Sequence, residues 1–122
     1  MTSSASPDPS AFYLIQLSRQ TSNCIVAIPG VTNTDYPIQV ESCNAGGYYA
    51  QWQIISDGAG RYFLYNRGIG GRSQRLDFVQ PPGYPLILIM GPSNDTYNNQ
   101  RWTLNVCSPA IEHLIFSSNG TR

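Results

Sequence analysis

The side chains able to transfer protons, attack as nucleophiles or ligate metals are few in this sequence, and they are scattered. There is one histidine, His113, and the seven acidic residues are spread along 122 positions. No HxxxH or HExxH spacing offers two imidazoles to a metal, and no G-x-S-x-G turn presents a serine. No two carboxylates are spaced as an acid–base pair. Cys24, Cys43 and Cys107 lack CxxC spacing. A Cys24–Cys43 bridge is an option in a secreted product, but the N-terminus favours free thiols in a reducing compartment. These residues predict a protein that is not an enzyme, with no catalytic group, no metal and no cofactor. His113 reads as structural or exposed.

What the chain does hold is side chains suited to contact. Tyr48-Tyr49 and Tyr97-Asn98-Asn99 combine rigid aromatic area with amides, as binding loops do, although tyrosines also pad a charge-poor surface. Arg61, Arg67, Arg72 and Arg75 surround Gly68-Ile-Gly-Gly71. Gly68-x-Gly70 resembles a fragment of a phosphate loop, but neither GxGxxG nor GK[ST] follows, so a mobile loop is expected. Charged residues are only 11% of the chain, with seven Arg, no Lys and zero net charge. That surface suits hydrogen bonding to a neutral partner, and without a basic run nucleic acid is not expected.

The elements that must position these residues are strands. Phe12–Leu17, Cys24–Ile28, Ile38–Val40, Gln51–Ile55, Tyr62–Tyr65, Leu86–Ile89 and Trp102–Val106 are short apolar or alternating runs between Gly, Pro, Asn and Asp clusters. This rhythm predicts an all-β barrel or sandwich. Asp57-Gly58 with Gly60 predicts a hairpin turn. The runs also repeat. Trp52 and Trp102 lie 50 residues apart, Tyr36–Val40 matches Tyr84–Leu88 at 48, and Asn23–Val26 matches Gln74–Asp77 at 51. Tyr13–Leu17 corresponds to Tyr62–Asn66, and residues 112–122 resemble the opening of a third copy. A β-repeat of this period is an architectural signature. The tryptophans read more readily as core indoles than as ligand platforms.

Gln100-Arg101-Trp102 carries the Q-x-W of ricin-B-type β-trefoils, and Ala50-Gln51-Trp52 keeps its Trp but has Ala for Gln. Residues 11–106 resemble that family, and the stretch from Trp52 to Asn66 is similar also to mushroom β-trefoil lectins and protease inhibitors. The Ser/Pro-rich residues 1–10 read as a flexible tail, and the resemblance implies a β-trefoil as a single domain over 11–122. Its repeats would be residues 11–55 and 61–106, with a partial third at 111–122. It also implies a carbohydrate site in the second repeat. There Asp77, Asn99 and Gln100 would supply hydrogen bonds and the stacking position falls near Ile89, so Tyr97 or Tyr84 would have to provide the aromatic face. In the first repeat the corresponding positions are Val26, Tyr49 and Ala50, beside Gln39 and Glu41, so no site is expected there.

The resulting expectation is a lectin-like module for a neutral glycan of galactose or N-acetyl-hexosamine type. A cysteine or serine protease inhibitor acting through residues 67–75 or the loop at Val31–Asp35 is the first alternative. The second is a self-assembling structural β-protein, with a homo-oligomer completing the fold. No membrane insertion is expected, since no run approaches the roughly 20 apolar residues of a spanning helix. Residues 1–10 lack the features of a signal peptide, so the expected location is cytoplasmic, or outside after release without a signal.

Overall fold

The computed structural model describes residues 7–17, 19–29, 36–80, 82–83, 85, 87–106 and 114–117. His113, Cys107, Tyr84 and the Val31–Asp35 loop lie outside them. The chain is all-β. Its strands are β1 (Tyr13–Leu14), β2 (Gln16–Leu17), β3 (Gln20–Ala27), β4 (Tyr36–Ser42), β5 (Gln51–Ser56), β6 (Tyr62–Asn66), β7 (Gln74–Val79), β8 (Ile87–Pro92), β9 (Thr103–Val106) and β10 (Leu114–Ser117). They form antiparallel sheets in the orders β1-β5-β6, β2-β3-β4-β8-β7 and β10-β9. Single 3-10 turns at Gly47–Ala50 and Asn98–Gln100 precede the two tryptophans. No helix among the described residues is long and apolar enough to cross a membrane.

Pairing reveals two units of equal construction. In the first, Tyr13 lies opposite Trp52, and in the second Tyr62 bridges Trp102. The Trp52 indole N–H donates to the Ile25 carbonyl at 3.2 Å, and that of Trp102 to the Leu76 carbonyl at 3.1 Å. Ile25 pairs with Val40 and Leu76 with Met90, so the β3–β4 and β7–β8 hairpins share one register. Cys43 N–H donates to Ser22 O just as Ser93 N–H donates to Ser73 O.

This register corrects one block of the sequence repeat. Val40 is equivalent to Met90, at 50 residues rather than the 48 that aligned Tyr36–Val40 with Tyr84–Leu88. A slip of two keeps every side chain on the same face of a strand, so the apolar pattern matches in either frame.

Both units supply one core. Ala27, Trp52, Ile54, Leu64, Leu76, Met90 and Trp102 form a single buried cluster, with Trp52 wholly buried and Trp102 6% exposed. Buried indoles keep an N–H that must find an acceptor, and a hairpin carbonyl answers in each unit. The β5–β6 hairpin turns where the Asp-Gly pair predicts it. Gly58 and Gly60 have φ of 83° and 89°, a region that costs a residue with a Cβ. Asp57 Oδ1 accepts from the N–H groups of Ala59 and Arg61 and so closes the turn.

The expectation of free thiols at Cys24 and Cys43 is corrected: the two are joined in a disulfide. Antiparallel pairing sets Cys24 opposite Glu41, and Cys43 follows just past the end of β4, which brings the two Cα atoms to 4.9 Å. Cys24 is completely buried and packs with Val26 and Ala50 in a small second cluster. The bridge closes a loop across 19 positions. Such a closure restricts the unfolded chain by about 3 kcal/mol. Urea unfolding with and without dithiothreitol should therefore differ by about that amount. A Cys24→Ala/Cys43→Ala protein should be insensitive to the reductant.

Candidate functional site

The structure brings Asp77, Asn99 and Gln100 together. β7 presents Asp77 opposite Ile89 of β8, and the 3-10 turn before Trp102 swings Asn99 and Gln100 onto it. The Gln100 amide donates from Nε2 to Asp77 Oδ2 at 3.1 Å and to Pro92 O at 2.8 Å. Its Oε1 accepts from Asn94 N–H, and Asp77 Oδ1 accepts from Phe78 N–H. Asn99 Nδ2 donates to Phe78 O at 2.9 Å, while its buried Oδ1 has no partner among the described residues. Asp77 and Gln100 are 0% exposed and Asn99 2%. As folded, the cluster ties two loops to a hairpin and opens no carboxylate to a ligand. Gly91 leaves the room for it, because a Cβ there would collide with Asp77 Oδ2. Ile89 is 8% exposed, and Tyr97 is half-buried as the cap of the 3-10 turn.

The same place in the first unit is apolar. Val26 and Ala50, both buried, occupy the positions of Asp77 and Gln100. Tyr49, at the Asn99 position, gives its carbonyl to Asn66 Nδ2 and its ring to Gly68. Gln39 is exposed on β4 and Glu41 half-buried.

An open concavity lies elsewhere, at the start of the second unit. A cavity of about 160 Å³ is lined by Phe12, Gln53, Tyr65, Asn66, Arg67, Gly70, Gly71 and Arg72. Asn66, at the end of β6 and 3% exposed, organises it. Its Oδ1 accepts from Gly68 and Ile69 N–H, an Asx turn that starts the loop, and Gly68 N–H also reaches Tyr48 O. The loop expected to be mobile is thus fastened at its base. Gly68 lies flat on the Tyr49 ring, where a Cβ would clash. Beyond it, Gly70 and Gly71 take φ of 76° and 63° and face open space. On the opposite rim, Gln53 Nε2 donates to Pro9 O and Tyr13 Oη accepts from Asp8 N–H, which holds the segment carrying Phe12.

Of the arginines, Arg67 and Arg72 line this cavity, and they are engaged differently from Arg61, Arg75 and Arg101. Arg75 is 7% exposed; it donates to Tyr65 Oη at 2.9 Å and Asp95 at 2.8 Å and stacks on Phe63. Arg101 bonds to Asp57 at 2.9 Å and lies over the same ring. Arg61 approaches Asp57 at 4.0 Å. Arg67 and Arg72 make no ion pair among the described residues. The Arg67 guanidinium is packed against Phe12 at 4.3 Å and Tyr48 at 4.1 Å, with one donor on Gln51 Oε1. That of Arg72 stands over Tyr65 at 5.3 Å.

The sequence shows the cluster of four arginines but not which members lack an acid, because that depends on Asp57 and Asp95 being carried to Arg61 and Arg75. Phe12 and Gln53 give no sequence signal as site residues, since each sits in an ordinary strand run. Among the described residues no three His, Cys, Asp or Glu side chains gather as a metal site. Compared with known proteins, the chain matches no family model, no curated relative and no solved structure.

Two measurements follow from this geometry. Asp77→Val and Gln100→Ala each strand a buried partner and should cost about 1–3 kcal/mol. The double variant restores the apolar pair of the first unit and should cost less than the sum by at least about 0.5 kcal/mol in urea unfolding. For Asp57, burial raises the carboxyl pKa, but hydrogen bonds from Ala59, Arg61 and Arg101 outweigh it and hold the group below its ordinary 3.8. A depressed folded value stabilises fully above 3.8 and is lost as pH falls through the folded value. The urea midpoint of Asp57→Asn should accordingly lie below that of the parent near neutrality, with the gap closing only under about pH 4.

Proposed function

We propose that the chain is a non-catalytic binding module of the ricin-B-type β-trefoil kind whose ligand is a carbohydrate. The binding place is the cavity between Phe12 and the loop after β6. The observation that carries this reading is the lining itself: aromatic rings at Phe12 and Tyr65, an amide at Gln53 and guanidinium donors at Arg67 and Arg72. A sugar presents an apolar C–H face and a rim of hydroxyls, so it asks for a ring and fixed hydrogen-bond groups together. The cavity lies well under the roughly 300 Å³ at which drug-sized pockets begin, which suits one terminal unit of a larger glycan. Binding at Asp77, Asn99 and Gln100 would require that buried cluster to open, whereas the cavity needs no such opening. The trefoil reading is supported by the repeated Tyr–Trp pairing and by the indole bond shared by the two units.

The Cys24–Cys43 bond favours an oxidising space over a reducing cytoplasm. Of the two expected locations, release from the cell is the one we propose.

A second reading rests on the same loop. Arg67 and residues 70–73 are exposed above a base fastened by Asn66, the form a protease-inhibiting loop takes. Papain and trypsin assays at micromolar chain separate it from glycan binding, since a lectin leaves both enzymes untouched.

A glycan array followed by calorimetric titration of the best hit tests the main reading. Phe12→Ala should weaken that hit by at least tenfold without moving the thermal midpoint, and Asp77→Val should not change affinity once stability is accounted for. An array without a single binder, or a hit indifferent to Phe12→Ala, would rule out a glycan at this place.

A further inference from the structure

We infer that this cavity selects an acidic sugar, with Arg72 and Arg67 taking its carboxylate; the inference rests on the carbohydrate reading above. Zero net charge had suggested a neutral ligand, but the charges are not evenly paired in space. Asp57 and Asp95 are engaged with Arg61, Arg101 and Arg75. Arg67 and Arg72 are left at one cavity with no carboxylate among the described residues to neutralise them.

Their donors are also left over. A guanidinium has five N–H groups in a planar fork that matches a carboxylate. Arg67 uses one on Gln51, and Arg72 uses none on any described acceptor. The packing of Arg67 between Phe12 and Tyr48 limits its rotamers, so little side-chain freedom remains to be lost on binding. Gly70 and Gly71 present no Cβ between the two arginines along the chain and stand in open space. The donors, the rings and the small volume together fit a ring that carries one negative group. A long polyanion would need more cationic contacts than two.

The probes are glucuronic acid, N-acetylneuraminic acid, glucose, and acetate or sulfate alone, titrated into the intact chain. The acidic sugars should bind at least tenfold more tightly than glucose, and raising salt from about 50 to about 500 mM should weaken them, as screening requires. Arg72→Gln should remove most of that preference and leave the thermal midpoint unchanged; Arg72→Lys should recover only part of it. Because Arg67 also packs two rings, Arg67→Gln is read only beside its own unfolding curve.

Equal affinity for glucose and glucuronic acid, with both lost in Phe12→Ala, would overturn the acidic preference and leave the carbohydrate reading standing. Acetate or sulfate binding as tightly as the acidic sugars would keep the two arginines as an anion site and overturn the sugar. No binding of any probe at millimolar concentration, or an acidic preference unaltered in Arg72→Gln, would overturn the inference.

Discussion

Each tryptophan in this chain is buried where its indole nitrogen meets a strand carbonyl, Ile25 for Trp52 and Leu76 for Trp102. A buried N–H without an acceptor costs on the order of 1–3 kcal/mol, so the hairpin must come to the indole at one register and no other. The Tyr13 and Tyr62 pairings fix the backbone that runs beside each tryptophan. Once the ring is placed, the short turn before it is placed as well, and that turn carries the residues at 49–50 and 99–100. The placing of the hairpins against the tryptophan strands and the position of the polar loops thus depend on the same two bonds.

With geometry shared, the two units differ in what fills it. The first is held by apolar Val26 and Ala50 and by a covalent bond from Cys24. The second is held by Asp77, Gln100 and an arginine at position 75 that replaces the cysteine. Arg75 brings aromatic rings, a tyrosine hydroxyl and Asp95 into one network.

Much of this was legible in the sequence. Alternation, the Asp-Gly turn and the spacing of the tryptophans are local signals, and they placed most strands to within a few residues. The Q-x-W residues pointed to Asp77, Asn99 and Gln100 as a group, and they do meet. What the sequence did not carry was their exposure, because burial depends on how tightly the turn at 98–100 closes over β7. The two-residue slip at Tyr36–Val40 arose because a strand has period two and its apolar face cannot report translation by a full period. The disulfide was hidden for a different reason: Cys24 and Cys43 become neighbours only through the β3–β4 register, while a compartment argument pointed the other way. The cavity draws on residues 12, 53, 65–67 and 70–72, four stretches with no common motif.

Asn66 uses both ends of its amide, Oδ1 toward the loop and Nδ2 toward the Tyr49 carbonyl at 2.8 Å. Hydrolysis of that amide to a carboxylate, the slow chemistry by which proteins age, keeps the acceptor and destroys the donor. A negative oxygen would then face the Tyr49 carbonyl in a buried position. An aged molecule would therefore keep the loop's anchor on Oδ1 and lose its tie to the short turn before Trp52, so the damage would fall on the seam between loop and turn.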